Sequence, residues 1–414
     1  MNIIIVNHYA IPPTEAGGTR HYSLARELIA QGHHVHIIAA NFNHQTKTPV
    51  VTNSEERIFK QVYDEVPFVF VNVPAYQGNS PARLLNMLSF SRQIWHSSYF
   101  KCMDSPDVVI GSSPHPLAVW AAQRMAARCG VPFIFEVRDL WPQSLIDLGR
   151  INPKHPAVWL LAQLEKYLYS HADKIITLLP GAHEYIKAIG IDAGKVIWIP
   201  NGIDFSLYNQ DFPRGKHDKF VVMYAGTHGL ANGLETIINC AEILDKDYGN
   251  KIVFRLVGDG PQKEDLKKMV DEKQLTNVQF DDPVPKQQIP GVLSQADAFI
   301  LLLTDSPVFR WGISPNKLYD YLCSYRPVIF GVNAFNNPVE EAGAGITVPP
   351  ENPEALAKAV LELYHMTPAN RDQMGLNGRK YVEENHDFQK LAAKLEEVLL
   401  EVIVDNKVGS RVSV

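Results

Sequence analysis

The sequence predicts an α/β protein made of two doubly wound domains facing each other across a cleft. Short β-branched runs alternate with stretches of helical length almost from end to end, the alternation is completed twice, and one polar stretch parts the two series. Repeated strand, helix, strand order puts parallel sheets under helices on both faces, and such sheets bind ligands outside the carboxyl ends of their strands.

The first series begins at once. MNIIIVNHYA has no basic leader and no small-residue cleavage site, so it reads as a first strand and not as a signal peptide. HHVHIIAA, FVFVNV, DVVIG, PFIFEV, KIITLL and KVIWIP follow, separated by stretches such as TRHYSLARELIAQ whose apolar residues recur at helical spacing. IPNGID and the polar stretch DFSLYNQDFPRGKHDK together hold the interdomain linker at 200–218 and a hinge around Pro200 to Pro213. The second series is FVVMYAGT, KIVFRLVG, VQFDD, AFILLLT, PVIFGV and GITVP. The expected domains are therefore 1–199 and 219–385. A final amphipathic helix at 386–405 is expected to pack back on the first domain, followed by a tail at 406–414.

Composition narrows the class. A chain of 414 residues exceeds what one core usually supports, and 46% hydrophobic with 20% charged residues is ordinary for globular domains. A net charge of -6 gives no reason to expect nucleic acid as a partner. No apolar run can span a bilayer, so the expected place is the cytoplasm or the inner face of its membrane. Cys102, Cys129, Cys240 and Cys323 lie far apart and read as reduced core thiols, not as a disulfide framework or metal site.

Candidate chemistry gathers at strand ends. VPFIFEVRDLWP loads Glu136, Arg138 and Asp139 onto the end of an apolar strand; a polar loop would explain them, but a ligand would sit there too. By strand alternation Glu136 is expected to point the same way as Arg138 and pair with it. Gly17 and Gly18 lie in the first strand-to-helix connection, where Thr19 is placed to cap the helix; turn geometry alone also accounts for such a pair. His8 and His115 each follow an early strand, and His8 is the better candidate to line the cleft. GDGPQKEDL opens like a dinucleotide fingerprint from Gly258, but Lys263 replaces the third glycine and no acidic residue ends the next strand as required, which disfavours a nicotinamide site.

FRWGISPNKLYDYLCSYRPVIFG is the most informative stretch. Ser314 is placed to cap a helix and Pro315 suits its first turn, leaving amides near Asn316 to hold a diphosphate. Lys317 in a first turn opposes the helix dipole unless a phosphate sits there, and Asp320, one turn on, could hold the hydroxyls of a ribose. A surface helix with scattered charge is the plain alternative.

The order of NGID, YAGTHGLANGLE, LVGDGP and SPNKLYDYLCSYRPVI resembles glycosyltransferase family 4, retaining enzymes of the GT-B fold with two Rossmann-like domains, and RDLWP resembles the branch that builds bacterial O-antigen and capsular polysaccharide. The resemblance puts Asp320 in the place of the motif's second glutamate, which holds the ribose, and Gly312 in that of the first, which contacts the donor sugar. The family's diphosphate-clamping Arg and Lys fall on Thr227 and Asn232, leaving Lys317, Arg310 and amides near Gly226, Thr227 and Ser314 for that work. Arg138 stands where many relatives have a histidine near the donor sugar, so it and Asp139 are expected to face the sugar or the acceptor, with His8, Arg20 and Glu136 on the same side.

The resemblance implies transfer of a hexosyl or N-acetylhexosaminyl group from a nucleoside-diphosphate sugar, uridine by family habit, to a saccharide acceptor that is lipid-linked. Same-face attack with a phosphate oxygen taking the proton needs no enzyme nucleophile, no cofactor and no metal; a covalent route through Asp139 is the minority scheme. A nucleotide-sugar epimerase on the same architecture and a non-catalytic two-domain sugar receptor remain open alternatives. Asp245 and Asp247 read as solvated surface, and His33, His34 and His36 alternate in and out instead of converging on a metal. ARLLNMLSFSRQIWHSSYFK, with Arg83, Arg92 and Lys101, reads as a crossover helix on the first sheet, or as a contact for the inner membrane surface.

Overall fold

The computed structural model describes all residues except 16, 53, 55, 79–80, 97–99, 101–104, 150, 209–217 and 413–414. Lys101, Cys102 and the hinge limit at Pro213 therefore lie outside the described residues. The chain forms two compact units, Met1–Asn201 with Phe388–Val414, and Gly202–Asp387.

The first unit holds eight strands: β1 (Asn2–Val6), β2 (His34–Ala40), β3 (Ile58–Tyr63), β4 (Val66–Val71), β5 (Val108–Ser112), β6 (Phe133–Val137), β7 (Lys174–Thr177) and β8 (Val196–Trp198). Their order is β3-β4-β2-β1-β5-β6-β7-β8. Neighbours are parallel except β3, which pairs antiparallel with β4. The sequence reading has no strand at β3, because IFKQVY is an exposed edge whose order comes from β4 and not from an apolar run of its own. The switch in winding falls at β1, whose carboxyl end leads into His8 and the Gly17–Gly18 connection.

The helix Phe388–Val412 belongs to this unit and runs past 405, so the expected tail is helical through Val412. Leu391, Leu395 and Leu399 enter the core beside Leu24 and Leu28 of the helix Arg20–Ala30. At its rim, Glu396 meets His33 at 2.7 Å and Glu401 meets Lys174 at 2.6 Å. The periodic stripe predicts the burial; the ion pairs fix which turn faces which strand.

The second unit holds β9 (Phe220–Ala225), β10 (Ile252–Val257), β11 (Val278–Asp281), β12 (Ala298–Leu302), β13 (Val328–Gly331) and β14 (Gly345–Thr347), ordered β11-β10-β9-β12-β13-β14 and parallel throughout. This is the doubly wound order, with the switch beside β9. Apolar side chains are buried on both faces, which explains why these strands read as continuous hydrophobic runs.

Candidate active site

In the first unit Glu136, Arg20 and His21 form one buried network at the end of β6. Arg20 donates from Nε to Glu136 Oε1 at 2.9 Å, from Nη2 to the Ile199 carbonyl at 2.9 Å, and from Nη1 to the Pro200 carbonyl. His21 Nε2 lies 2.7 Å and Ser112 Oγ 2.5 Å from Glu136 Oε2, and Asn7 donates to Ser112 Oγ at 2.8 Å. Glu136 therefore pairs with Arg20 and not with Arg138, which corrects the alternation argument. Strand alternation gives the side of the sheet but not the partner, and Arg20 arrives from the helix above β1. Arg20 and Glu136 are almost fully buried, so neither contacts a ligand as expected; they fix β6 and the chain at Ile199 in place.

Arg138 and Asp139 follow directly on the outer side. Asp139 is exposed and makes no hydrogen bond among the described residues, while the Arg138 amide is held by Ser113 Oγ at 2.8 Å. His8 is 1% exposed, with Nε2 2.8 Å from Asn86 Oδ1. Burial pushes it down to about 3, so it is a neutral core histidine and not an open cleft residue. Gly17 has φ +139 and an added Cβ would lie 2.7 Å from Ile11, so the turn itself requires glycine; Gly18 follows it into the helix. Thr19 makes no side-chain cap.

In the second unit the helix Asn316–Cys323 begins at Pro315, without a side-chain cap. Ser314 does not cap it, because its hydroxyl lies 3.0 Å from Tyr319 OH. The amides of Asn316 and Lys317 fall in the first turn, where no intrahelical partner exists. Lys317 donates to Tyr224 OH at 2.8 Å and Asn232 Oδ1 at 2.6 Å, with its ammonium 4.6 Å from the Tyr224 ring centre. Tyr224 OH and Asn232 Nδ2 both donate to the Thr227 carbonyl, at 2.7 and 3.0 Å. Among the described residues no carboxylate bonds Lys317, and desolvation lowers its ammonium to about 7. A cation with only neutral partners at a strand's carboxyl end can take an anion without giving up an ion pair.

The other expected donor residues fare differently. The Gly226 amide is spent on the Val257 carbonyl at 2.9 Å, so it is not free for a phosphate, although Gly226 itself lies beneath Lys317. An added Cβ on Gly258 would lie 2.0 Å from the Gly226 carbonyl oxygen, and one on Gly260 2.4 Å from that of His228. These glycines let two loops touch. Lys263, in the place of the fingerprint's third glycine, ties the same corner by bonding the Gly258 carbonyl at 2.9 Å and Asp282 Oδ1 at 3.1 Å.

Asp320 is 8% exposed and already engaged: Tyr208 OH donates to Oδ1 at 2.7 Å, and Lys286 Nζ lies 2.7 Å from both oxygens. A carboxylate offers about four acceptor positions, so Oδ2 keeps one for a hydroxyl. Arg310 sits over its neighbour Trp311 and donates to Pro307 O, and Gly312 has φ +106, closing the turn before the helix. Tyr224, Tyr208 and Lys286 were missed from sequence. Tyr224 reads as one more apolar strand residue, and Lys286 lies 34 residues from its partner. Among the described residues no group of three His, Cys, Asp or Glu side chains could hold a metal ion, Asp245 and Asp247 included.

Comparison with known proteins agrees with this architecture. Residues 16–202 match the glycosyl transferase 4-like domain, and residues 219–366 match glycosyl transferases group 1. The probable glycosyltransferase WbjE of Pseudomonas aeruginosa is 22% identical over 315 residues, 71% of this chain and 76% of that protein. The "Putative colanic acid biosynthesis glycosyl transferase WcaI" of Escherichia coli K12 is 23% identical over 387 residues, 88% and 91% of the two. Sucrose-phosphate synthase of Thermosynechococcus elongatus superposes with a TM-score of 0.75 at 16% identity, covering 98% of this chain and 99% of that one. Anabaena HepE in complex with UDP-glucose superposes at 0.67 and 13%, covering 97% and 100%. With both domains matched in their expected order, the chain belongs to the family 4 glycosyltransferases of GT-B fold.

Proposed function

We propose that this glycosyltransferase moves a hexosyl or N-acetylhexosaminyl group from a UDP-sugar to a lipid-linked saccharide in bacterial surface polysaccharide synthesis, with retention of configuration. Lys317 carries the reading: a cation held by Tyr224 and by Asn232, one of the two clamp places, supplies the charge that Thr227 and Asn232 lack. It and the first-turn amides stabilise the departing diphosphate, one of whose oxygens takes the proton of the incoming hydroxyl. The remaining acceptor position of Asp320 takes a ribose hydroxyl. Arg138 and Asp139 orient the acceptor. The relatives support the donor class, since HepE is seen with UDP and UDP-glucose, and the acceptor class, since WcaI is named for colanic acid biosynthesis.

A lipid-linked acceptor fits a second observation. Leu84 and Leu85 on the helix Pro81–His96 and Trp159 and Leu160 on the helix Pro156–His171 are more than half exposed, while Phe90 and Ile94 of the first helix are buried. The helix Pro81–His96 follows β4, and the helix Pro156–His171 follows β6 after the short helix Gln143–Asp147; these side chains lie in the opening turns of both, close in sequence to Arg83 and Lys154. We assign these opening turns to the bilayer surface that carries the acceptor. Among the described residues no helix is long and apolar enough to cross a membrane.

Titration calorimetry with UDP, GDP, ADP and NAD on the wild type and Asp320→Ala tests the donor assignment. UDP binding that weakens about tenfold in the variant, roughly one hydrogen bond to a charged group, supports it. Absent or equal binding overturns it. Flotation with phosphatidylglycerol vesicles tests the surface: wild type that stays below the lipid removes the membrane contact.

A further inference from the structure

The loops at the carboxyl ends of β1, β2, β4 and β5 bring together a polar cluster outside the groups assigned above to donor and acceptor. The His8 and His115 ring centres are 4.7 Å apart, His8 and Tyr9 4.6 Å, and Tyr9 and His44 5.2 Å. His44 Nδ1 lies 2.5 Å from Tyr76 OH and 3.3 Å from Lys47 Nζ, and the Lys47 ammonium stands 4.8 Å from the centre of the Tyr76 ring. Arg83 stands in the first turn of the helix Pro81–His96, three residues before Asn86, whose Oδ1 lies 2.8 Å from His8 Nε2.

Three features give this cluster the chemistry of an anion site. Lys47 adopts φ +61, a costly conformation for a lysine, in a turn closed by its amide on the Asn43 carbonyl at 2.9 Å. The turn aims the ammonium at neutral rings. The carboxylate that this loop does engage, Glu15, is bonded by Asn43 and not by Lys47, and no carboxylate bonds Lys47 among the described residues. One Lys47 proton goes to His44, so two donors remain, and the Tyr9 hydroxyl has no partner among the described residues. Beneath them both ring nitrogens of His115 and Nδ1 of His8 are buried without a hydrogen-bond partner, so the floor is polar and open to rearrangement when a ligand arrives.

We propose that Lys47, Arg83 and Tyr9 form a second anion site, in the first unit, that takes a phosphate group of the acceptor. The site deepens the lipid-linked acceptor reading: a glycan built on a lipid phosphate carries this charge, and an uncharged sugar does not. Lys47 contributes a point charge and Arg83 a planar fork, the usual pair for a phosphate ester. A bilayer headgroup offers the same phosphate, and the test separates the two sources.

The probe is inorganic pyrophosphate, titrated calorimetrically into the full chain and into Lys47→Gln/Arg83→Gln, Lys317→Gln and the triple variant, with thermal melts to show that each folds. The expected result is two classes of pyrophosphate site in the wild type. Lys47→Gln/Arg83→Gln removes one of them, with at least tenfold weaker binding, while UDP binding stays within twofold. Lys317→Gln removes the other. A wild type with only the class lost in Lys317→Gln overturns the proposal. Flotation of Lys47→Gln, which leaves Arg83 and the exposed helix edge intact, with phosphatidylglycerol vesicles is expected to match the wild type; loss of flotation with pyrophosphate binding intact would assign the cluster to headgroups and overturn the acceptor reading. Failure of UDP to bind would sink the donor assignment alone, because the pyrophosphate class at Lys47 is read without it.

Discussion

The Lys317 ammonium donates to Asn232 Oδ1 at 2.6 Å, so a charge arriving from the helix Asn316–Cys323 reaches the 3-10 turn Leu230–Asn232 that follows β9. The ammonium thus stands beside the loop that follows β9, within reach of Tyr224 and Asn232. Its environment is unusual for a lysine, since Tyr224 and Asn232 are neutral and the helix start opposes it. Three consequences for Lys317 can be measured.

First, diphosphate binding should take up a proton. Burial holds Lys317 down to about 7, so at pH 8 the free protein carries it mostly neutral, and a bound diphosphate favours the charged form. Calorimetry of UDP binding at pH 8 in buffers of different ionisation enthalpy should show uptake of up to roughly one proton, vanishing near pH 6. No buffer dependence at pH 8 would remove Lys317 from the diphosphate.

Second, Lys317→Met should trade function for stability. A lysine held at about 7 in the fold and at its ordinary 10.5 when unfolded penalises the native state wherever the unfolded chain binds the extra proton. Wild-type stability should therefore rise with pH between about 7 and 10.5 and be flat below 7 on this account. The methionine variant should lose that slope and gain about 1–2 kcal/mol at pH 7 in urea titrations, in line with replacing a buried charge by an apolar side chain.

Third, Lys317→Ala should fold and lower turnover by about two orders of magnitude, the usual effect of losing one charge-stabilising donor. Near-normal turnover of a UDP-sugar would show that the diphosphate is stabilised elsewhere.

The Arg20–Glu136 pair gives an independent prediction about acid. Burial alone would raise the Glu136 carboxyl, but Arg20 first, then His21 and Ser112, outweigh it and hold it well below the usual range. Stability from a depressed carboxyl is present above its unfolded value and is lost as pH falls. His21 is held low mainly by burial, so the unfolded chain alone takes up its proton below about 6.5 and stability starts to fall there. Chemical denaturation of the wild type should need progressively less denaturant from pH 6.5 downward. His21→Gln should make the fall shallower without moving its onset, because burial also holds His8, His44, His115 and His228 low, and Glu136→Gln should cost about 3–5 kcal/mol at pH 7 by leaving the Arg20 charge buried and unpaired.

Gly258 offers a purely steric test. With φ +138 and a Cβ position 2.0 Å from the Gly226 carbonyl oxygen, Gly258→Ala must push the β9 and β10 loops apart. A loss of more than about 2 kcal/mol is expected, together with weaker UDP binding, because the same displacement moves the loop that carries Thr227. An unchanged melting temperature would mean that the two loops separate freely.

The sequence by itself determined the two alternating series, the polar break between them and the helix that returns to the first unit, because burial of both sheet faces writes long apolar runs and burial of one helix face writes a periodic stripe. It also singled out Lys317, since a cation in a first helical turn is anomalous without a ligand. Tertiary structure alone decided the partners. Glu136 met Arg20 across 116 residues and Asp320 met Lys286 across 34, and nothing local records such distances. The edge strand β3 escaped notice because its order is borrowed from β4, and His8 proved buried because Asn86 and Phe90 cover it from a helix that the first strand does not encode. Periodicity reports the side on which a residue lies; only packing reports what it touches, and hydrogen bonding and charge act through what is touched.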